Sequence, residues 1–232
     1  MDFKIESFVE HLKGNHSKDR PTTTLAYAQS LDGSLTRTPG SPTQISSEEA
    51  MSFTHQLRAA HDGILVGIGT ILSDNPQLNV RHVTGPNPRP IVMDSRLRTP
   101  LDAMVLQSHP DPWIATTQHA PKTRIEAFKA QGIRVLQIEH QPNGWVQPQA
   151  LQAQLYQDGI KTLMVEGGAH ILTSFLQNQL ADYLIATVSM QLIGGLHSLL
   201  GLPAGSAAPR LSPWHCAPIG EDLLIGGHLQ WN

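Results

Sequence analysis

Two turns that contain glycine are the parts of this chain best suited to chemistry, and the first lies within residues 66–81. The apolar run 63–66 is typical of a buried strand, and it leads directly into Gly67 and Gly69. A strand that ends in such a turn and starts a helix brings backbone N–H groups to a phosphate. Because the guanidinium of Arg81 follows, the segment fits a phosphorylated-ligand site, although a plain strand–turn–helix connection has the same pattern.

The second turn is the pair Gly167-Gly168. It follows the apolar run 161–165 and Glu166, and it precedes residues 170–179, whose apolar positions have helical spacing. Adjacent glycines let the backbone approach a pyrophosphate without interference from Cβ atoms. Two such turns favour a dinucleotide site, even though the Gly-x-Gly-x-x-Gly fingerprint of doubly wound folds is absent from the sequence.

Composition narrows the class of protein. A net charge of −3 over 232 residues gives no reason to expect nucleic acid or an anionic membrane as a partner. The single cysteine, Cys216, excludes an internal disulfide, and the scattered histidines, including His55 and His61, are expected at the surface rather than on a metal. Since neither a signal peptide nor an apolar run of membrane-spanning length is found, a cytoplasmic location is expected.

The pattern of the chain predicts a single α/β domain over residues 21–232, preceded by an extension of residues 1–20 with a short helix. A helix is expected to begin at Glu48, after Ser46 or Ser47 as its N-cap, and to end near Ala60. Other helices are expected at 121–131, 148–158 and 170–179, and strands at 22–30, 63–66, 90–94, 112–117, 133–138, 161–165, 183–189 and 222–230. Strands and helices alternate over residues 60–180, which indicates a parallel sheet, and the helix-free last fifty residues indicate an antiparallel end.

Several segments, taken in order along nearly the whole chain, resemble the pyrimidine reductases of riboflavin biosynthesis. This family includes the reductase domain at the C-terminus of bifunctional RibD proteins and free-standing enzymes of archaea and fungi. The segments are Ala28-Gln29-Ser30-Leu31-Asp32-Gly33, residues 45–49 with 57–59, residues 62–81, residues 89–97, Val165-Glu166-Gly167-Gly168 and residues 192–195. The zinc ligands of the deaminase half have no counterpart, so only the reductase half is expected.

The resemblance implies a dihydrofolate-reductase-like fold, with a mixed, mostly parallel central sheet, helices on both faces and an antiparallel C-terminal end. It also implies NADPH as the cofactor and a homodimer as the assembly. The implied reaction reduces the ribosylamino group of a 5-phosphoribosylamino-pyrimidine to a ribitylamino group. In that reaction the nicotinamide supplies the hydride, and the protein supplies orientation and charge.

The resemblance also assigns residues to the two ligands. Ser95 and Arg96 are expected at the adenosine 2′-phosphate, which would select NADPH over NADH. The other expected cofactor contacts are Ala28, Gly67, Gly69, Thr70, Asp74, Gly167, Gly168, Ala169, His170, Ile171 and Leu172. The expected substrate contacts are Asp32, Arg58, Leu78, Arg81 and Glu166, of which Asp32 and Glu166 are the candidates for orienting the substrate; no proton donor is identified.

Some of these roles have simpler alternatives. Arg58 could pair with a surface acid, and Asp32 could be a turn-former whose carboxylate accepts nearby N–H groups. The chain also departs from many family members, with Ser34 where a basic residue is common and no tryptophan in the stretch 42–44. These departures bear on the subgroup more than on the activity. A reductase of another heterocycle, such as a dihydropterin, and a non-catalytic nucleotide-binding dimer are the alternative functions. A pterin reductase usually places an acid on its first crevice helix, where this chain has only Glu48 and Glu49 at the exposed start.

Overall fold

The computed structural model describes residues 19–41, 43–201 and 208–231. The short helix predicted in residues 2–13 lies outside these described residues. Within them, the chain forms one large sheet of nine strands and a small sheet of two. The strands are β1 (Thr22–Ser30), β2 (Ser34–Thr36), β3 (Gly63–Gly67), β4 (Arg89–Met93), β5 (Trp113–Thr117), β6 (Arg134–Ile138), β7 (Thr162–Gly167), β8 (Tyr183–Ser189), β9 (Leu196–His197), β10 (Arg210–Ile219) and β11 (Asp222–Gln230).

The large sheet has the strand order β10-β11-β8-β1-β7-β3-β4-β5-β6. Strands β8 through β6 in this order pair in parallel, whereas β11 pairs antiparallel with both β8 and β10. The predicted mixed, mostly parallel sheet with an antiparallel C-terminal end is therefore confirmed. Strand β7 inserts between β1 and β3, which places the Gly167-Gly168 turn at the middle of the sheet.

Helices pack on both faces of the sheet. They are α1 (Glu48–Ala60), α2 (Ile68–Asp74), α3 (Met104–Gln107), α4 (Lys122–Ala130), α5 (Pro148–Gln157) and α6 (Ala169–Gln177). Helix α1 begins where the sequence predicts, because the Ser47 side chain accepts the Ala50 N–H and the acids Glu48 and Glu49 occupy the positive helix end.

The core lies in separate layers because successive residues of a strand point to opposite faces. On one face, Leu65 and Val165 pack with residues of α5 and α6 such as Leu151 and Phe175. On the other face, α2, α3 and α4 cover β3, β4 and β5, while α1 covers β1, β7 and β8. The apolar strands are buried on both faces, which is why they have continuous rather than alternating apolar residues.

The predicted elements agree closely with the structure, and the strands over 22–30, 183–189 and 222–230 match it residue for residue. Strand β10 was not predicted. It contains Pro213 and Pro218, and proline cannot donate to the ladder of a central strand. In the structure β10 lies at the edge of the sheet and pairs only with β11, a position where proline is tolerated.

Candidate functional site

Two cavities open at the carboxyl edge of the parallel strands, the edge at which open α/β sheets bind ligands. We call them the glycine cavity and the arginine cavity. They are lined by neighbouring parts of the same strand end, since Glu166 on β7 contributes to the arginine cavity and Gly168, just after β7, to the glycine cavity.

The glycine cavity has a volume of about 400 Å³. It brings together both glycine turns, the segment after β4 and the N-terminal part of α6, which are far apart in sequence. Its lining residues are Gly67, Ile68, Gly69, Thr70, Met93, Asp94, Ser95, Arg96, Arg98, Gln141, Trp145, Val146, Gly168, His170, Ile171 and Ser174.

The two glycine turns pack closely against each other at the floor of this cavity. A Cβ on Gly67 would come 2.7 Å from Cγ1 of Ile171, so only glycine lets α6 lie this near the end of β3. Gly168 has a φ of +87° and would place a Cβ 3.4 Å from the Thr70 hydroxyl. Gly67 and Gly168 therefore let the two helix starts pack closely at the end of the sheet.

The first turn of α6 supplies backbone donors at this end of the sheet. The carbonyl of Gly168 accepts the N–H groups of Ile171 and Leu172. The N–H groups of Ala169 and His170 lie before the first hydrogen bond within the helix and form part of the positive end of the helix dipole. The predicted cofactor residues Ala169 and Leu172 are buried and line neither cavity. Because the Leu172 N–H is bonded to Gly168, only Ala169 of the two could contribute, through its N–H.

The loop after β4 gives the cavity a basic end. Asp94 is fully buried and accepts the N–H and the hydroxyl of Thr99, which fixes the loop. Ser95 accepts the Val146 N–H at 3.0 Å through its hydroxyl oxygen. Arg96 and Arg98 are exposed and both line the cavity, and Arg98 is a cationic residue that the sequence did not assign to the site.

A hairpin loop next to the loop after β4 forms another part of the cavity wall. His140 and Val146 pair across it, the Gln141 N–H donates to the Trp145 carbonyl at 2.7 Å, and the Trp145 N–H donates to the Asn143 side chain at 2.9 Å. These bonds place the Trp145 indole at the rim of the cavity, where it is 45% exposed and meets the His170 ring edge to face. A half-exposed tryptophan in a fixed loop is available to stack on a planar ligand.

The arginine cavity has a volume of about 230 Å³ and lies between the sheet and α1. It combines apolar walls with a cluster of charged and titratable groups. Its lining residues are Ala26, Tyr27, Ala28, Ser46, Met51, Phe53, Thr54, His55, Leu57, Arg58, Arg81, Glu166, Ile185 and Thr187.

Arg58 and Glu166 form a bidentate ion pair inside this cavity. The Nε of Arg58 donates to Oε2 of Glu166 at 2.7 Å, and Nη2 donates to Oε1. The two side chains are 9% and 18% exposed, so the pair is largely shielded from water. Burial lowers the pKa of Arg58, but the Glu166 carboxylate outweighs this effect and leaves that pKa raised.

Arg81 is the cation at the mouth of the arginine cavity. It is exposed, and its Nη1 donates to the Asn79 side chain at 3.1 Å. Burial and the neighbouring Arg58 lower the pKa of Arg81 while Glu166 raises it, and the guanidinium keeps its charge at neutral pH. Because Arg58 is already paired with Glu166, Arg81 is the arginine of this cavity that can meet an incoming anion.

His55 and His61 both lie on the inner side of α1 and its C-cap, contrary to the expectation of surface positions. His55 is 1% exposed and His61 is 4% exposed. Burial lowers the pKa of each imidazole to about 4, and for His55 the cations Arg58 and Arg81 add to the effect. His55 lines the arginine cavity, one helical turn before Arg58, and this spacing on one helix face is the sequence pattern that could have identified it.

The structure does not bring every predicted residue to the cavity expected for it. Leu78 is 1% exposed and packs in the core beside α2, so its side chain cannot contact a ligand. Asp74 ends α2, is exposed and lines neither cavity, and Gly167 is buried behind Gly168. Ala28, predicted on the cofactor side, lines the arginine cavity.

Asp32 also lies away from both cavities. Its carboxylate accepts the hydroxyls of Ser30 and Ser34 and the N–H groups of Ile193 and Gly194. These bonds, led by that of Ser30, hold the pKa of Asp32 well below its usual range. The geometry agrees with the alternative of a turn-forming aspartate, one that ties the loop after β1 to the loop after β8.

Two further features bear on the class of site. In the ranges that the structure describes, no three His, Cys, Asp or Glu residues are grouped so that they could hold a metal ion. None of the helices described is long and apolar enough to cross a membrane.

The fold and the paired cavities define a mixed α/β protein whose ligands bind at the carboxyl edge of its sheet. A model of the RibD C-terminal domain matches residues 21–225. The chain belongs to the RibD C-terminal domain family.

Similar proteins extend this result. The 2,5-diamino-6-ribosylamino-4(3H)-pyrimidinone 5′-phosphate reductase of Aquifex aeolicus is 38% identical over 198 residues, covering 83% of this chain and 87% of its own. The enzyme of the same name from Candida glabrata is 32% identical, with coverage of 95% and 94%. The chain also matches 58% of the longer riboflavin biosynthesis protein RibD of Aquifex aeolicus, with 34% identity and 90% of this chain covered.

Among solved structures, the riboflavin biosynthesis reductase of Saccharomyces cerevisiae superimposes with a TM-score of 0.78 at 26% identity, covering 97% of both chains. Acinetobacter baumannii RibD superimposes with a TM-score of 0.76 at 23% identity, covering 92% of this chain and 59% of its own. The latter likeness shows the fold alone.

Proposed function

We propose that this protein is an NADPH-dependent reductase of riboflavin biosynthesis that acts on 2,5-diamino-6-ribosylamino-4(3H)-pyrimidinone 5′-phosphate. The observation that supports the reaction best is the meeting of two different cavities at the end of β7. One is open to a dinucleotide along its glycines, and the other presents an arginine and a fixed carboxylate. The diamino substrate is taken from the names of the relatives at 38% and 32% identity.

The glycine cavity fits the cofactor. The backbone at Gly168 and the first-turn amides of α6 suit a pyrophosphate, and Ser95 with the basic Arg96 and Arg98 suits a 2′-phosphate. The exposed indole of Trp145 suits a planar base. When bound there, NADPH supplies the hydride for the reduction.

The arginine cavity fits the substrate. Arg81 provides a guanidinium fork for the 5′-phosphate. The Glu166 carboxylate uses one lone pair on each oxygen for Arg58, and its remaining lone pairs can accept N–H groups of the pyrimidine. Arg58 in this proposal does not bind the substrate directly; its two hydrogen bonds hold the Glu166 carboxylate in place.

The lining of the cavity argues against the pterin alternative. Helix α1 contributes Met51, Phe53, Thr54, His55, Leu57 and Arg58 to the cavity, and none of these is an acid. Glu48 and Glu49 are exposed at the start of the helix. The homodimer implied by the resemblance and the cytoplasmic location expected from the sequence remain predictions, and light scattering of the purified protein tests the homodimer.

Steady-state kinetics test the proposed function. The purified protein is assayed with the diamino substrate and with its deaminated counterpart, each with NADPH and with NADH. We expect the largest kcat/KM for the diamino substrate with NADPH. A larger value for the deaminated pyrimidine would contradict the substrate, equal values for the two nucleotides would contradict the 2′-phosphate site, and inactivity in all four mixtures would contradict the reductase function.

A further inference from the structure

The loop that carries Arg81 is held against α1 by two side chains of that helix. The Arg81 N–H donates to Nδ1 of His55 at 3.1 Å. One turn further along α1, Nη1 of Arg58 donates to the carbonyl of Asn79 at 2.9 Å. Between these contacts, the Val80 N–H donates to the Asn87 side chain at 2.7 Å, so three successive residues of the loop are fixed through their backbone.

The contact from His55 differs from the other two because it fixes Arg81 itself. The Arg81 side chain is exposed, and its Nη1 donates to the side chain of Asn79, two residues away on the same loop. A guanidinium binds phosphate strongly only when its fork has the right orientation. The hydrogen bond to the Arg81 N–H therefore fixes the position of the backbone from which this side chain extends.

The chemical state of His55 follows from its surroundings. An Nδ1 that accepts a hydrogen bond is unprotonated, so the neutral ring has its proton on Nε2. Burial and then the cations Arg58 and Arg81 lower the pKa of His55 to about 4. The imidazole thus stays an acceptor at physiological pH and adds no further positive charge behind Arg81.

We propose that His55 is a positioning residue for substrate binding, which holds the backbone of Arg81 so that its guanidinium meets the substrate phosphate. This inference rests on the proposed function, because it takes a phosphorylated substrate in the arginine cavity. In this scheme His55 acts through Arg81 on phosphate affinity and has no part in hydride transfer.

Two substitutions of His55 distinguish its hydrogen bond to Arg81 from the packing of its ring. His55→Leu removes the acceptor and keeps an apolar side chain, whereas His55→Asn keeps an acceptor oxygen at the position of Nδ1. We expect His55→Leu to raise the substrate KM by about tenfold, as for the loss of one hydrogen bond to a charged group, with kcat and the NADPH dissociation constant unchanged. His55→Asn is expected to recover most of the substrate affinity.

His61 provides the matched control. It is also a buried histidine next to α1, but its ring bonds the Leu57 carbonyl and the Thr24 hydroxyl and it lines neither cavity. His61→Leu is expected to lower the melting temperature without a selective rise in substrate KM. The inference is overturned if His55→Leu has the KM of the wild type, if it changes kcat as much as KM, or if His55→Asn behaves like His55→Leu.

A second readout does not depend on reduction. Titration of each variant with D-ribose 5-phosphate, followed by ligand-observed NMR, measures occupancy of the phosphate site alone. If His55→Leu binds ribose 5-phosphate more weakly than the wild type and His55→Asn do, the role of His55 is supported. This holds even if the wild type reduces neither pyrimidine, because the lack of reduction would refute only the proposed function. Equal binding by all three proteins contradicts the inference.

Discussion

Replacing Arg81 by alanine should weaken binding of the substrate and leave binding of NADPH unchanged. Arg81 is exposed at the mouth of the arginine cavity, and its side chain donates to Asn79 within its own loop. Its removal therefore costs the fold little, and the free energy of unfolding should change by less than about 0.5 kcal/mol.

The size of the effect on the substrate follows from the type of bond that is lost. A hydrogen bond between a guanidinium and a phosphate contributes about 1.5–3 kcal/mol to binding. At about 1.4 kcal/mol for each factor of ten, Arg81→Ala should raise the substrate KM by about tenfold to a hundredfold. Arg81→Lys should recover part of this loss, because an ammonium retains the charge and not the fork.

Arg98→Ala is the matched control for this experiment, because Arg98 is an exposed arginine that lines the glycine cavity instead. The assay measures KM for the substrate and the dissociation constant of NADPH for both variants. We expect Arg81→Ala to raise the substrate KM alone and Arg98→Ala to raise the NADPH dissociation constant alone. If Arg81→Ala weakened NADPH and left the substrate KM unchanged, the assignment of the two cavities would be reversed.

Three further changes test other parts of the account. Gly168→Val places a branched side chain at a φ of +87° beside Thr70, so NADPH affinity measured by tryptophan fluorescence should fall by about tenfold or more; an unchanged affinity in a folded variant would make the turn purely structural. Glu166→Gln leaves the buried Arg58 without its counter-charge, and urea unfolding should show a loss of about 3 kcal/mol, whereas no loss would show that water screens the pair. Burial lowers the pKa of His61 to about 4 from an ordinary value near 6.5, so this histidine binds more protons in the unfolded state between these pH values. The contribution of His61 to the free energy of unfolding should therefore fall by about 2 kcal/mol from pH 7 to pH 5. Urea titrations at both pH values should show that His61→Asn lacks this part of the pH dependence.

The sequence predicted the elements that have strong local patterns. The buried strands β3 and β7 are apolar runs closed by glycines, and α1 has a serine cap followed by acids, so their ends could be located within a few residues. Strand β10 has neither pattern. Its register depends on pairing with β11, which is information that no local window of sequence contains.

The candidate site was predicted where its residues lie on those elements. Arg58, Glu166 and both glycine turns come together as the sequence indicates. Leu78 was assigned to the substrate by the resemblance alone, and the structure turns its side chain into the core at a φ of +54°. Trp145 lies on a loop about fifty residues from Ser95, and long-range contacts bring it to the glycine cavity, namely the Ser95–Val146 bond and the His170 ring.

Transfer of a labelled hydride tests the central claim most directly. The purified protein is incubated with the diamino substrate and NADPH that contains deuterium at C4 of the nicotinamide, in separate reactions for the two faces of the ring. The account predicts that one of the two labelled cofactors transfers its deuterium to C1′ of the new ribityl chain, as read by mass spectrometry and NMR of the product. A ribityl product without deuterium from either cofactor, or the absence of any reduced product, would contradict it.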